Sequence, residues 1–196
     1  EIDQAGTKTA GGAVNVNGTM TVQSTGTPIY DVAATTTTVT GTSTISGTLN
    51  IDGSGVYDAN GDFAASGAIT MAGSARLQLS AAGSGVSSLG NLTTSAGTVE
   101  YDGGTQNVLA DTYYNLEIDQ AGTKTAQGTV NVNGTMTVQN NGLVVYDIVG
   151  TTTTVTGTTT VNHTNGTNSG TIKLTTGTFE ANGATDINGK LTIHGS

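Results

Sequence analysis

The ten residues EIDQAGTKTA at Glu1–Ala10 occur again, letter for letter, at Glu117–Ala126, and this duplication limits the possible folds more than any other feature. The match continues beyond it. VNVNGTMTVQ at Val14–Gln23 returns at Val130–Gln139, Tyr30-Asp31 answers Tyr146-Asp147, and TTTTVTGT at Thr35–Thr42 answers Thr151–Thr158. Of the 45 positions from Glu1 to Ile45, 33 are identical at an offset of 116. The chain reads as an array, with a first super-repeat at 1–116 and a partial second copy at 117–196, together one continuous solenoid. GVYDANG at Gly55–Gly61 aligns with GTFEANG at Gly177–Gly183 at an offset of 122, so six residues have been added in the polar segment NHTNGTN at Asn162–Asn168. An insertion that keeps the flanking register predicts a loop at one corner, with His163 a solvated member of it. DTYYNL at Asp111–Leu116 precedes Glu117 and has no counterpart before Glu1, which reads as a window on a longer array.

Inside each copy a shorter phrase recurs: NGTMTV at Asn17, SGTLNI at Ser46, SGAITM at Ser66, AGTVEY at Ala96, NGTMTV at Asn133, SGTIKL at Ser169 and NGKLTI at Asn188. Each predicts a tight corner, its glycine supplying a positive φ, followed by a short strand whose side chains alternate in and out. No stretch carries a helical apolar stripe. Two series of apolar sites set the expected spacing. Met20, Val39, Tyr57, Leu77, Val99, Leu116 and Met136 form one; Val14, Val32, Ile51, Ile69, Leu89, Val108 and Val130 form the other. Both step by about 19 residues, so six coils would make the super-repeat. The pattern predicts an all-β parallel β-solenoid with two to three short strands per coil and no substantial helix. Tandem antiparallel sandwich domains are the rival fold, and they give no reason for a 19-residue step.

Composition agrees with a narrow core. Hydrophobic residues make up 34% of the sequence, charged residues 10%, and Gly and Thr together about a third. A solenoid needs only a few inward side chains per turn, whereas disorder goes with high charge, Pro and few strand formers. The net charge of −9, from 14 carboxylates against five cations, leaves nothing to neutralise phosphates, so neither nucleic acid nor an anionic membrane surface is an expected partner. No apolar run approaches a membrane span. The absence of cysteine removes disulfides and thiolate chemistry.

Three constellations could carry chemistry. Glu100 with Asp102 and Glu117 with Asp119 are spaced i, i+2 on predicted strands, so each pair shares a face; stacked coils would gather all four, as acid–base work on a glycan would need. A solvated outer face is the plainer reading. DANGD at Asp58–Asp62 opens like a calcium loop, with Asp58, Asn60 and Asp62 as candidate ligands. Phe63 and Ile69 then stand where glycine and a bidentate glutamate belong, and an Asx-capped turn is the plainer reading. Thr-x-Thr runs suggest an ice-binding rank, but the coils around Leu77–Leu92 lack them. Tyr30, Tyr146, Tyr57 and Phe179 are expected in packing or corner stacking; Tyr113-Tyr114 could offer one ring outward to a glycan.

GTVEYDGGTQNVLADTYYNLEIDQAGTKTAQGTVNVNGTMTV (Gly97–Val138), with its partial twin at the start, resembles the large repetitive β-solenoid surface proteins of bacteria, the filamentous-haemagglutinin-like adhesins and autotransporter passengers. That resemblance implies an extracellular or cell-surface structural protein: a rigid shaft of a fibre, filament or adhesin, without enzymatic activity or cofactor. The expected partners are copies of itself end to end, or further covalent repeats, with surface glycans as a further class. A glycan-active enzyme or carbohydrate-binding module on a parallel β-helix is the alternative, and an ice-binding solenoid a remote one.

Overall fold

A computed structural model describes residues 1–164 and 168–194. Every described residue in regular structure is in a strand or an isolated bridge, and the fold is the all-β parallel β-solenoid expected from the repeat. The protein packs as two compact units, Glu1–Ala81 with Gly85–Val99, and Ala82–Ser84 with Glu100–Ser196.

In the first unit each turn consists of three strands. β1 (Gly6–Thr9), β2 (Val14–Val16) and β3 (Met20–Val22) make one turn; β4 (Pro28–Ala33), β5 (Thr36–Val39) and β6 (Ser43–Ile45) make the next. β7 (Thr48–Asp52), β8 (Val56–Ala59) and the start of β9 (Phe63–Met71) follow, then the rest of β9, β10 (Arg76–Leu79) and β11 (Val86–Thr94). Strands stack in three parallel columns: β1–β4–β7–β9, β2–β5–β8–β10 and β3–β6–β9. β9 serves two of them, Phe63–Ala65 pairing with β6 and Ala68–Met71 with β7. β12 (Thr98–Tyr101) leads into the second unit.

That unit repeats the plan. Its turns are β13 (Gln106–Val108), β14 (Thr112–Tyr113) and β15 (Asn115–Ile118); β16 (Gly122–Ala126), β17 (Val130–Val132) and β18 (Met136–Val138); β19 (Leu143–Val149), β20 (Thr152–Val155) and β21 (Thr159–Val161); β22 (Ser169–Thr175), β23 (Thr178–Ala181) and β24 (Thr185–Ile187); and finally β25 (Lys190–His194). The columns are β13–β16–β19–β22–β25, β14–β17–β20–β23 and β15–β18–β21–β24. Antiparallel pairing is confined, among the described residues, to two isolated bridges, Val149 with Thr176 and His163 with Ser169. That excludes the sandwich.

Turns average about 22 residues, not the 19 that the apolar series predict. Met20 shows why: it pairs with Ser43, 23 residues on, and Val14 pairs with Thr37. The next rung of each ladder is polar, so a search for apolar residues passes over it and hops to a neighbouring strand of the same turn. At this length 116 residues hold about five turns rather than six. Three of the inward hydroxyls are hydrogen-bonded across the core, as buried polar groups generally are, while that of Thr159 has no partner. The Tyr30 hydroxyl bonds Thr37 Oγ1 at 2.8 Å, Tyr57 donates to Ser43 Oγ at 3.0 Å, and Tyr146 bonds Thr153 Oγ1 at 2.8 Å. Around them Val32, Ile51, Phe63 and Leu77 in the first unit, and Val132, Met136, Val155 and Ile172 in the second, are fully buried. Tyr57 meets Phe63 edge to face at 6.2 Å.

The corner glycines also differ from expectation. Of the seven in the recurring phrase, only Gly97 has a positive φ (92°). Gly47, Gly67, Gly134, Gly170 and Gly189 are instead required by stacking: a Cβ on Gly67 would lie 1.9 Å from Gly47 O, and one on Gly189 2.4 Å from Gly170 O; Gly18, in the first turn, would meet nothing within 4 Å. One turn's corner sits directly on the corner below.

In the turn with the insertion, β19 pairs with β22 at a spacing of 26 residues, Val145 with Thr171, against 19 for the equivalent Ile29 and Thr48 in the first copy. Residues 165–167 of the inserted segment lie outside the described residues. Its flanks close on one another, Thr164 N donating to Asn168 O at 3.4 Å.

Candidate functional site

Glu117 and Asp119 belong to the phrase NLEIDQ, in which Leu116 and Ile118 face the core and Glu117 faces out. Asp119 follows at the corner that ends β15. Glu100 lies in β12 between the buried Val99 and Tyr101, on the outward side of the alternation, yet it is itself only 5% exposed. The stacking brings Glu100, Glu117 and Asp119 together, with one carboxylate oxygen from each within 4.8 Å of the others. Three of the four carboxylates expected to cluster therefore do so; Asp102, one residue past β12, is not part of the group.

Amides surround the acids. Gln139 Nε2 donates to Glu117, and Asn162 Nδ2 donates to Gln139 Oε1 at 2.8 Å, which continues the ladder one turn further. Asp119 accepts from Asn141 Nδ2 at 2.8 and 3.0 Å and from the Gln120 amide at 2.6 Å. The first copy contains the same rung, Gln23 Nε2 donating to Glu1 Oε1 at 2.7 Å. Recurrence of the Glu–Gln rung marks it as part of the stacking pattern. The trio could hold a hard cation through its oxygens, or present fixed acids to a ligand.

One group escaped sequence reasoning, Lys124. It lies on the inward side of β16, fully buried, with its ammonium donating to Gln120 O at the corner before the strand. Burial pushes the ammonium down to about 8, against the opposing pull of Asp119 and Asp102. The twin in the first copy, Lys8, donates in the same way to Gln4 O, and to Ala5 O at 2.6 Å. A usable signal was present: in GTKTA the lysine shares its face with Ala126, the core side of the strand.

The calcium candidates are not built as a loop. Asp58 lies within β8, where it pairs with Thr38 and Gln78, and Asn60 and Asp62 are in the corner that follows. Phe63 and Ile69 are fully buried core residues of β9. The threonine ranks are interrupted on the outer faces: Thr38 stacks on Asp58, and Thr125 is followed by Asp147 and Lys173. Lys173 and Asp147 form an ion pair at 2.8 Å. Tyr113 is buried, its hydroxyl 2.9 Å from that of Tyr101 and donating to Leu109 O at 2.8 Å, while Tyr114 is 37% exposed. An open cleft of about 420 Å³ lies in the second unit between Thr125–Gly128 and Val149–Thr151.

The fold and site define an all-β parallel β-solenoid with about eight turns and an ordered acid–amide ladder. No protein-family model matches the sequence, and neither the curated proteins nor the solved structures contain a match to it.

Proposed function

We propose that this protein is a structural segment of an extracellular bacterial surface protein, a shaft on which adhesive or terminal parts of a fibre are carried. The observation that carries this reading is the recurrence of whole turns. β1–β3 and β16–β18 are built from nearly the same residues, in the same three-column plan, with the same inward lysine and outward Glu–Gln rung. A protein that gains length by copying turns is organised for reach, because each added turn contributes main-chain hydrogen bonds and the same small set of core contacts. Its self-partners are further repeats, covalent or end to end, since a solenoid's terminal strands expose pairing groups. The acidic surface suits an extracellular location and disfavours nucleic acid and membrane insertion.

Electron microscopy of proteins carrying one, two and four fused copies tests the reading. A shaft requires a constant gain in contour length per copy and straight particles. Particles that bend freely at every junction would sink it.

A second reading is favoured by the Glu100, Glu117 and Asp119 trio. It is a glycan-active enzyme or binding module on a parallel β-helix. Turnover of an acidic or neutral polysaccharide that disappears in Glu100→Ala or Glu117→Ala would establish it in place of the first. The interrupted outer ranks weigh against an ice-binding surface.

A further inference from the structure

Five Asn-Gly pairs among the described residues fall into two groups that their sequence does not separate. In three of them the glycine amide is engaged: Gly134 N donates to Tyr114 O at 2.7 Å, Gly142 N to Asn140 O at 2.9 Å, and Gly189 N to Val161 O at 2.9 Å. Two of these pairs also have the asparagine side chain tied, Asn141 to Asp119 and Asn188 Nδ2 to Asp186 Oδ1 at 2.9 Å. Asn60-Gly61 and Asn182-Gly183 differ. Their asparagine N–H groups bond Val39 O and Val155 O, at 2.9 and 2.8 Å, but neither glycine amide has an acceptor among the described residues, and both asparagines are exposed. The two pairs occupy the same place in the repeat, the corner after β8 and after β23.

We propose that Asn60 and Asn182 are sites of spontaneous modification, converting to aspartate and isoaspartate in the folded protein. The glycine nitrogen attacks the asparagine Cγ. A new C–N bond closes a five-membered imide, the bond from Cγ to Nδ2 breaks, and ammonia leaves with the proton that the glycine amide gives up. Water then opens the ring at either carbonyl, giving aspartate or isoaspartate. Ring closure requires the glycine nitrogen to shed its proton and turn towards Cγ, so an amide already donating to a carbonyl must first release that bond. The net strength of such a bond slows the reaction roughly two- to tenfold.

The fold keeps the vulnerable dipeptide in place. A Cβ on Gly61 would stand 2.4 Å from Gly41 O, and one on Gly183 2.0 Å from Gly157 O, so glycine is required at both. Only the asparagine is free to change. Each conversion adds a negative charge to a protein already at −9. The isoaspartate branch also lengthens the main chain by one carbon, in a corner stacked directly on its neighbour.

The full-length protein is incubated in mildly alkaline buffer, folded and in denaturant, and mapped by peptide mass spectrometry. In the folded protein Asn60 and Asn182 should convert at least roughly twofold faster than Asn133, Asn141 and Asn188, whereas in denaturant all five should converge. Asn60→Gln and Asn182→Gln should abolish the corresponding signal and leave the circular dichroism spectrum unchanged. The inference is overturned if Asn133 or Asn188 keeps pace with Asn60 in the folded protein. It is equally overturned if the same ranking persists in denaturant, since local sequence would then account for it.

Discussion

Lys124 and the buried tyrosines give the protein opposite responses to alkali in different pH windows. Burial lowers the Lys124 ammonium from 10.5 to about 8, so below that pH the fold carries the full cost of a charged group in its core. Above it the folded state sheds its proton before the unfolded state does, and stability rises with pH until both are neutral near 10.5. The tyrosines act the other way. Burial pushes Tyr101 up to about 12 and raises Tyr57, Tyr113 and Tyr146 as well, so above their ordinary value of 10.0 the unfolded state releases phenolic protons that the fold retains. Urea midpoints measured across this range should therefore climb gently from pH 8 to about 10 and fall steeply beyond it. Lys124→Met should flatten the first limb and leave the second. At this scale the sequence was only partly legible: i, i+2 spacing and stacking anticipated that Glu100, Glu117 and Asp119 would meet, but not that Asp102, past the end of β12, would stay out of the group. The inward lysine was hidden because charge is ordinarily assigned to the surface, and nothing in GTKTA names the carbonyl that receives it.

At the scale of strands and corners, glycine acts through contact more than through conformation. Gly134, Gly157 and Gly183 form a column at one corner of the second unit, and a Cβ on Gly157 would lie 2.2 Å from Gly134 O. Gly157→Ala must therefore push adjacent turns apart at a ladder that has no slack, and should cost about 1–3 kcal/mol, as overpacking does. Gly104 also lies in a loop of the second unit, but its Cβ would meet nothing within 4 Å and its φ is not positive. Gly104→Ala should stay within about 0.5 kcal/mol. Paired urea titrations check the contrast. The corners were legible in the sequence as Asn-Gly and Ser-Gly pairs, and their physical reason was not. A turn motif is local, whereas the carbonyl that forbids a Cβ belongs to a residue about one turn away. The length of the turn was obscured for a related reason. Ser43, Thr37, Thr153 and Thr159 occupy core positions, and three of them receive or share a tyrosine hydroxyl hydrogen bond that an apolar pattern cannot reveal.

For the molecule as a whole, the spacing between paired strands is free to vary as long as the columns are kept. Ile45 at the end of β6 is followed directly by Ser46-Gly47, whereas in the second copy seven residues, 162–168, separate Val161 at the end of β21 from the equivalent Ser169-Gly170. Yet β19 and β22 pair from Leu143 to Thr175 without a register shift. Lengthening a corner adds only loop entropy, about 0.6 kcal/mol for each doubling, because the strands on either side keep the same partners. Inserting NHTNGTN between Ile45 and Ser46 in the first copy, which keeps Gly47, should therefore lower stability by about 1 kcal/mol and leave the strand content seen by far-ultraviolet circular dichroism intact. The same seven residues placed between Thr37 and Thr38 should behave differently. They would interrupt β5, whose Thr37 and Thr38 pair with Val14 and Asn15 on one side and with Tyr57 and Asp58 on the other, and would carry the inward Val39 off its column. That second variant should lose cooperative unfolding in the first unit. A fold that accepts the corner insertion and rejects the strand insertion is held by its columns, and such a fold can be extended by copying turns whose corners need not match.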